Sequence, residues 1–261
     1  MTVYNIAMNA KLSVLMITKN AAETLEKSLA SIKKIADEII VVDGGSSDDT
    51  VLIAKKHHSK IFNYKGRLWE DQCQIGLEKA VNDWLLVLDS DEVVPQKLSK
   101  EILSVIHDIK MNCTGYYIKF QTHYLEKPLC YGGENYKKMV LFKKKFGLVK
   151  QTLGHYFYEV KKGKTGQLKN KILHYSYRSV SQMFVKFTSY GIRMGKEKYL
   201  GGEKSSFKKI FLYPIHMFWA RFITDKGYED GLFRIPLDLG FAYMEFVTYV
   251  SLSFFNLKNK K

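Results

Sequence analysis

Residues Trp84-Leu85-Leu86-Val87-Leu88-Asp89-Ser90-Asp91-Glu92 join an uninterrupted apolar run to an acidic cluster. An apolar run of this length, bounded by polar residues, reads as a strand buried on both faces. Two similar runs precede it, Leu12–Thr18 (LSVLMIT) and Glu38–Asp43 (EIIVVD). Between those two, Leu25, Leu29 and Ile32 recur at helical spacing over Ala22–Ile35, with Asn20 placed to cap the helix. Gly44-Gly45-Ser46-Ser47 then turns the chain, and Asp48 or Asp49 caps a helix reaching His57. Lys60–Asn63 reads as a short strand and Glu70–Ala80 as a helix. Pro95 suits the first turn of a helix running to about Ile109. Strand–helix alternation of this kind builds a parallel sheet with right-handed crossovers.

The pattern changes after Gly115. Tyr116–Thr122 alternates like an antiparallel strand, and Met139–Phe142 is a second candidate. Helical spacing returns from Val180 to Tyr199, Gly201-Gly202 interrupts it, and aromatic-rich helical segments follow. The expected fold class is α/β: a mainly parallel, Rossmann-like sheet flanked by helices, with a basic, aromatic-rich helical C-terminal extension. The expected divisions are 1–110, 111–179 and 180–261.

Charge divides the 261-residue chain in the same way. Its formal net charge is +15, yet residues 1–110 carry 14 basic and 16 acidic side chains. Residues 111–261 carry 27 basic and 10 acidic ones, a surface suited to anionic lipid, a phosphorylated glycolipid or nucleic acid. Cys73, Cys113 and Cys130 have neither zinc-site nor disulfide-framework spacing, which fits a reducing cytoplasm. Met1–Ala10 lacks the features of a secretion leader, and the apolar stretch 246–257 is shorter than a membrane span. The expected location is cytoplasmic, peripheral on the inner face of the cytoplasmic membrane.

Ligands of such sheets bind beyond the carboxyl ends of the strands. Three polar groups fall there: Thr18-Lys19-Asn20, Asp43, and Asp89-Ser90-Asp91-Glu92. Asp89 and Asp91 point the same way in an extended segment, and two adjacent carboxylates call for a cation between them. Their hard oxygens suit Mg²⁺ or Mn²⁺ bridging a diphosphate; the bland alternative is a cap for the helix after Pro95. Asp43 before a Gly-Gly turn suits hydrogen bonds to a ribose or base edge, or organisation of the turn itself. No GxGxxG follows the first strand and no GxxxxGK[ST] occurs, which excludes nicotinamide dehydrogenases and P-loop enzymes.

The stretches LSVLMITKN (12–20), ADEIIVVDGGSSDDT (36–50) and GLEKAVNDWLLVLDSDE (76–92) resemble family-2 glycosyltransferases of the GT-A fold. They look closest to the branch acting on the inner core of bacterial lipopolysaccharide, which ILHYSYRS (172–179) and DKGYEDG (225–231) also resemble. The resemblance implies an inverting, metal-dependent hexosyltransferase, with glucose the expected hexose, moved from a UDP-sugar to a hydroxyl of a lipopolysaccharide core or related glycolipid. It makes 1–110 the nucleotide-sugar half and 111–179 the acceptor side of the same domain, followed by the helical basic extension over 180–261. Thr18, Asn20 and Asp43 would hold uridine and ribose, with Gln72 and Gln74 near the base. Asp89 and Ser90 would face the donor, and Asp89, Asp91 and His174 the Mg²⁺ or Mn²⁺ ion; His174 is equally readable as a structural histidine. Lys137, Lys138 and Arg178 are available for phosphates.

The general base is the weak point of the match. Relatives often carry a His-Glu pair where this chain has GHYFYEVKKGKTG (154–166), and a GGWYPD-like segment where it has YGGENYKKMVLF (131–142). Inversion needs a carboxylate to deprotonate the acceptor, so Glu134 and Glu159 are the candidates, with a lean to Glu134 beside its glycine pair. The rival readings are a protein-glycosylating transferase of the same superfamily and a basic nucleic-acid-binding module. No nucleic-acid-binding motif supports the latter. The C-terminal aromatics read either as a helical cap on the core or as an amphipathic face on an anionic membrane surface.

Overall fold

The structure, a computed structural model, describes residues 10–64, 66, 69–108, 112–134, 136–152 and 155–258, excluding the side chains of 69, 70, 151, 152, 155 and 156. The first elements in chain order are β1 (Leu12–Thr18), α1 (Ala22–Ile32), β2 (Glu38–Asp43), α2 (Thr50–Lys56), β3 (Lys60–Asn63), α3 (Trp69–Lys79) and β4 (Trp84–Asp89). There follow β5 (Glu92–Val93), α4 (Gln96–His107), β6 (Cys113–Tyr124), β7 (Lys127–Pro128), β8 (Lys137–Lys143), β9 (Gly147–Thr152), β10 (His155–Val160) and β11 (Lys164–Tyr177). The last three are helices α5 (Val180–Leu200), α6 (Phe207–Trp219) and α7 (Ile235–Lys258). None of the described helices is long and apolar enough to cross a membrane.

The main sheet has the order β3-β2-β1-β4-β8-β6-β11-β5, with β7 beside β6. Its first four strands are parallel. β8 runs antiparallel to both β4 and β6, so the parallel character stops at β4 and the sheet is mixed. β9 and β10 form a separate two-stranded ribbon. Every residue of β1 is buried, as expected for a strand covered on both faces. Alternate residues supply two cores: Leu12, Val14 and Met16 pack with α1 and α4, while Leu15 and Ile17 pack with Cys73 and Leu77 of α3.

The chain forms two compact units. The first comprises residues 1–120, 136–151 and 156–174; the second comprises 121–135, 152–155 and 175–261. The structural divide near His174 falls inside β11, a few residues before the one drawn from sequence, and the segment 121–135 goes with the helices. The second unit has its own core, built on Tyr124, Leu129, Met183, Phe187 and Leu237. Its helices α5 and α7 approach closely because Gly191 and Gly195 lie one turn apart. A Cβ on Gly195 would stand 2.6 Å from the carbonyl oxygen of Thr248.

Candidate functional site

In the first unit, parallel register sets three strand ends side by side. Thr18 pairs with Asp43, and Ile17 pairs with Asp89. Thr18 Oγ1 donates to Asp43 Oδ1 at 3.3 Å. The Asp43 carboxylate is buried and accepts from the Gly45 and Ser46 amides and from Ser46 Oγ, at 2.9, 2.8 and 2.5 Å. Asp43 thus builds the turn after β2, the second of the two occupations its position suggested. At Gly44, which follows, a Cβ would stand 2.8 Å from Gln72 Nε2. The buried Gln72 therefore reaches the strand ends from α3.

Gln74 does not join it. Two residues apart on a helix, the pair point to nearly opposite sides, and Gln74 Nε2 donates instead to Glu78 at 2.7 Å on an exposed face. Asn20 corrects a second expectation. It occupies the left-handed region at φ 50°, and its Oδ1 accepts from the Ser47 amide at 2.8 Å rather than capping α1. The start of α1 is served by Asp48, whose Oδ2 accepts from the Ala22 amide at 3.1 Å.

The acidic end of β4 is held by its own sequel. Glu92 Oε2 accepts from the Asp89 amide at 2.9 Å, closing a tight turn through Ser90 and Asp91. β5 then pairs antiparallel with β11, opposing Glu92 to His174. This pairing carries a residue more than eighty positions away to the Asp89-Ser90-Asp91 turn. His174 Nε2 lies 3.4 Å from Asp91 Oδ1, and its Nδ1 lies 2.7 Å from the Tyr136 hydroxyl. Burial lowers the affinity of His174 for a proton, but contact with Asp91 and the charges of Glu92 and Asp89 outweigh it, raising the pKa. Tyr136 stacks on Phe120 with centroids 5.0 Å apart. Sequence reasoning gave Tyr136 no role; nothing in its own segment points to a histidine 38 positions on.

Glu92 is almost fully buried, and its Oε1 has no hydrogen-bond partner among the described residues. Burial first, then the charge of Asp89, pushes its pKa up to about 8, against the pull of Lys138 and His174. Lys138 Nζ stands 4.0 Å from Asp89 and 3.9 Å from Glu92. Lys137, its neighbour on β8, is engaged elsewhere, donating to Gln167 at 3.0 Å. Arg178, the third cation expected to meet phosphate, is half-buried.

These groups match the chemistry of a hard divalent cation. Carboxylate oxygens of Asp89 and Asp91, one imidazole nitrogen and an orphaned buried carboxylate oxygen share one corner. Among the described residues no group of three or more His, Cys, Asp or Glu side chains is placed to hold a metal ion by itself. Mg²⁺ and Mn²⁺ sites of phosphate enzymes use one or two carboxylates, with substrate phosphate and water completing the shell, so the incomplete set fits.

The two candidate bases have other partners. Glu159 on β10 pairs with Lys150 at 2.6 Å and is partly exposed. Glu134, in the second unit, is buried and bonded to Arg221, with Arg234 Nη2 at 3.6 Å. Burial raises its pKa against the opposing pull of both arginines. Arg234 is itself wholly buried; it binds Asp238 at 2.9 Å, Asp230 at 2.8 Å and the carbonyls of Tyr131 and Gly132. Glu134, the candidate favoured for its neighbouring glycine pair, is thus part of an ion-pair knot. The His155 side chain lies outside those described.

The chain resembles several known proteins. An uncharacterised glycosyltransferase of Rickettsia conorii is 27% identical over 270 residues, covering 98% of this chain and 94% of its own. Among solved structures, residues 1–349 of S. aureus TarS match at a TM-score of 0.46 and 12% identity, covering 96% of this chain and 91% of that one. Glucosyl-3-phosphoglycerate synthase from Mycobacterium tuberculosis, solved with Mn²⁺, UDP and glucosyl-3-phosphoglycerate, matches at 0.36 and 20% identity over 45% of each chain. The model of glycosyl transferase family 2 matches residues 13–152, more than half the chain, with β1, β2, β4 and the acidic turn inside it. The chain belongs to glycosyl transferase family 2 and is a glycosyltransferase.

Proposed function

We propose that the protein is an inverting hexosyltransferase that moves a sugar, glucose on our reading, from a UDP-sugar to a hydroxyl of a glycolipid such as lipopolysaccharide core. One observation carries the reading: Thr18, Asp43 and Asp89 end adjacent parallel strands in register, with the Asp91–His174 contact beside them. The turn built by Asp43, together with Thr18, Asn20 and Gln72, would take the nucleoside. Asp89, Ser90 and Lys138 would face the diphosphate. Asp91, with His174 and Asp89, would hold Mg²⁺ or Mn²⁺, which when bound offsets the charge of the departing diphosphate. The excess of 27 basic over 10 acidic residues in 111–261 suits a phosphorylated acceptor.

Deprotonation of the acceptor hydroxyl falls to Glu134 or Glu159. The two are separable by substitution. Glu134→Gln removes a partner from two guanidinium groups and lowers stability as well as turnover. Glu159→Gln breaks only a partly exposed pair and reports on chemistry.

The test is a donor screen with Mg²⁺ or Mn²⁺ that measures UDP release, with Asp91→Asn as control. The expected result is release from one UDP-hexose by the wild type and a loss of about a hundredfold or more in the variant, the scale of deleting one transition-state charge partner. Equal release by both proteins overturns the assignment.

A further inference from the structure

Helix α6 has no buried residue, although Lys208, Lys209 and His216 are its only polar members. One side packs on α7, where Tyr213 meets Tyr249 edge to face at 5.2 Å. The other side presents Phe207, Phe211, Leu212, Ile215 and Trp219, each between 48% and 79% exposed. Four of these five recur at four-residue intervals and form one stripe. A water-facing helix of a globular protein carries its charges there instead.

On α7, Phe246, Val250, Phe254 and Leu257 are exposed at three- and four-residue intervals. Phe211 and Phe246 lie 6.4 Å apart between ring centroids, so the two stripes meet. A contiguous exposed apolar face of this kind marks an interaction surface.

Charge selects what the face meets. Residues 204–224 contain Lys204, Lys208, Lys209 and Arg221 and no Asp or Glu; residues 246–261 contain three lysines and no acid. Asn256 Nδ2 donates to the Glu203 carbonyl at 3.4 Å, joining the start of α6 to the end of α7. The exposed Lys204, Lys208 and Lys258 therefore gather at one end of the patch. Of the nearby acids, Glu203 is offset by Lys198 and Lys209 at 3.0 and 2.7 Å, and Glu245, half-buried just before Phe246, is countered by Lys198. A second copy of this face would bring more positive charge, whereas an anionic leaflet supplies the opposite sign beside an apolar layer.

We propose that α6 and the outer stripe of α7 form a docking face for an anionic lipid surface, with α6 lying in the interfacial plane and Trp219 inserted. The assignment stands whether or not the donor reading above is correct. Its test uses the full chain with vesicles of phosphatidylcholine, with and without phosphatidylglycerol. The expected result is flotation with the anionic vesicles only, weakening as salt rises. A Phe211→Ser, Ile215→Ser double variant, with an unchanged melting temperature, loses about tenfold or more of that affinity, as removal of two buried apolar anchors requires. Brominated lipid quenches tryptophan fluorescence in the wild type and much less in Trp219→Phe, a readout that leaves the fold alone. Three results overturn the proposal: no flotation, equal flotation of the double variant, or a concentration-dependent dimer that the double variant abolishes while vesicles capture nothing.

Discussion

Tyr136 and His174 show how a single contact organises the candidate site. With Nε2 toward Asp91, the imidazole is oriented through Nδ1 by the Tyr136 hydroxyl at 2.7 Å. Partners of this kind fix ring orientation and tautomer, and their loss costs about 10–100-fold in metal affinity or activity. Tyr136→Phe should therefore lower kcat/KM for UDP-sugar turnover about tenfold without changing the melting temperature; an effect within about twofold would deny the tyrosine this role. At this scale Asp89, Asp91 and Thr18 were legible because each sits at the end of a buried run. Gln74 was misplaced although helical periodicity alone sets it opposite Gln72. The surroundings of Glu134 were not legible, for another reason. Its partners Arg221 and Arg234 lie roughly ninety to a hundred positions downstream, and no local pattern reports them.

Among elements, β1, β2 and β3 share a fastening at their amino ends, away from the candidate site. Glu38 accepts from Ser13 Oγ at 2.5 Å, Lys60 Nζ at 2.7 Å and the Val81 amide at 3.0 Å. Burial alone would raise its pKa, but these bonds outweigh it and the net shift is downward. A depressed carboxylate stabilises the fold above its unfolded pKa and loses that contribution as pH falls through the folded value. Glu38→Gln should thus lower stability by roughly 1–3 kcal/mol near neutrality, with the gap to wild type closing below about pH 4. Denaturant titration across pH checks this, and a gap independent of pH would contradict it. The parallel strands were readable because double burial writes continuous apolar runs. β11 was missed because its burial is intermittent and its sequence, KTGQLKNKILHYSY, mixes lysines into the strand. That omission hid the pairing which delivers His174.

For the whole molecule, the chain forms two units, and the second has a core of its own. The charge asymmetry was visible from composition; the excursion of 121–135 into the helical unit was not, because buried ion pairs of high sequence separation create it. Arg234 anchors that excursion. Replacing it with methionine leaves Asp230, Asp238 and Glu134 short of a buried partner, at a cost of about 3–5 kcal/mol. Hydrogen exchange should quicken across 121–135 and 175–258 while β1, β2 and β4 keep their protection. Uniform quickening would show that the two cores unfold as one.

In the function proposed, Asp91 and His174 would complete a cation–diphosphate site at the carboxyl ends of β1, β2 and β4. The most direct measurement is calorimetric titration of UDP into metal-stripped protein, with and without Mn²⁺. Mn²⁺ should strengthen binding on the order of tenfold, ~1.4 kcal/mol, in the wild type, and Asp91→Asn and His174→Ala should lose this gain. Equal UDP affinity with and without Mn²⁺, or an undiminished gain in Asp91→Asn, would contradict it.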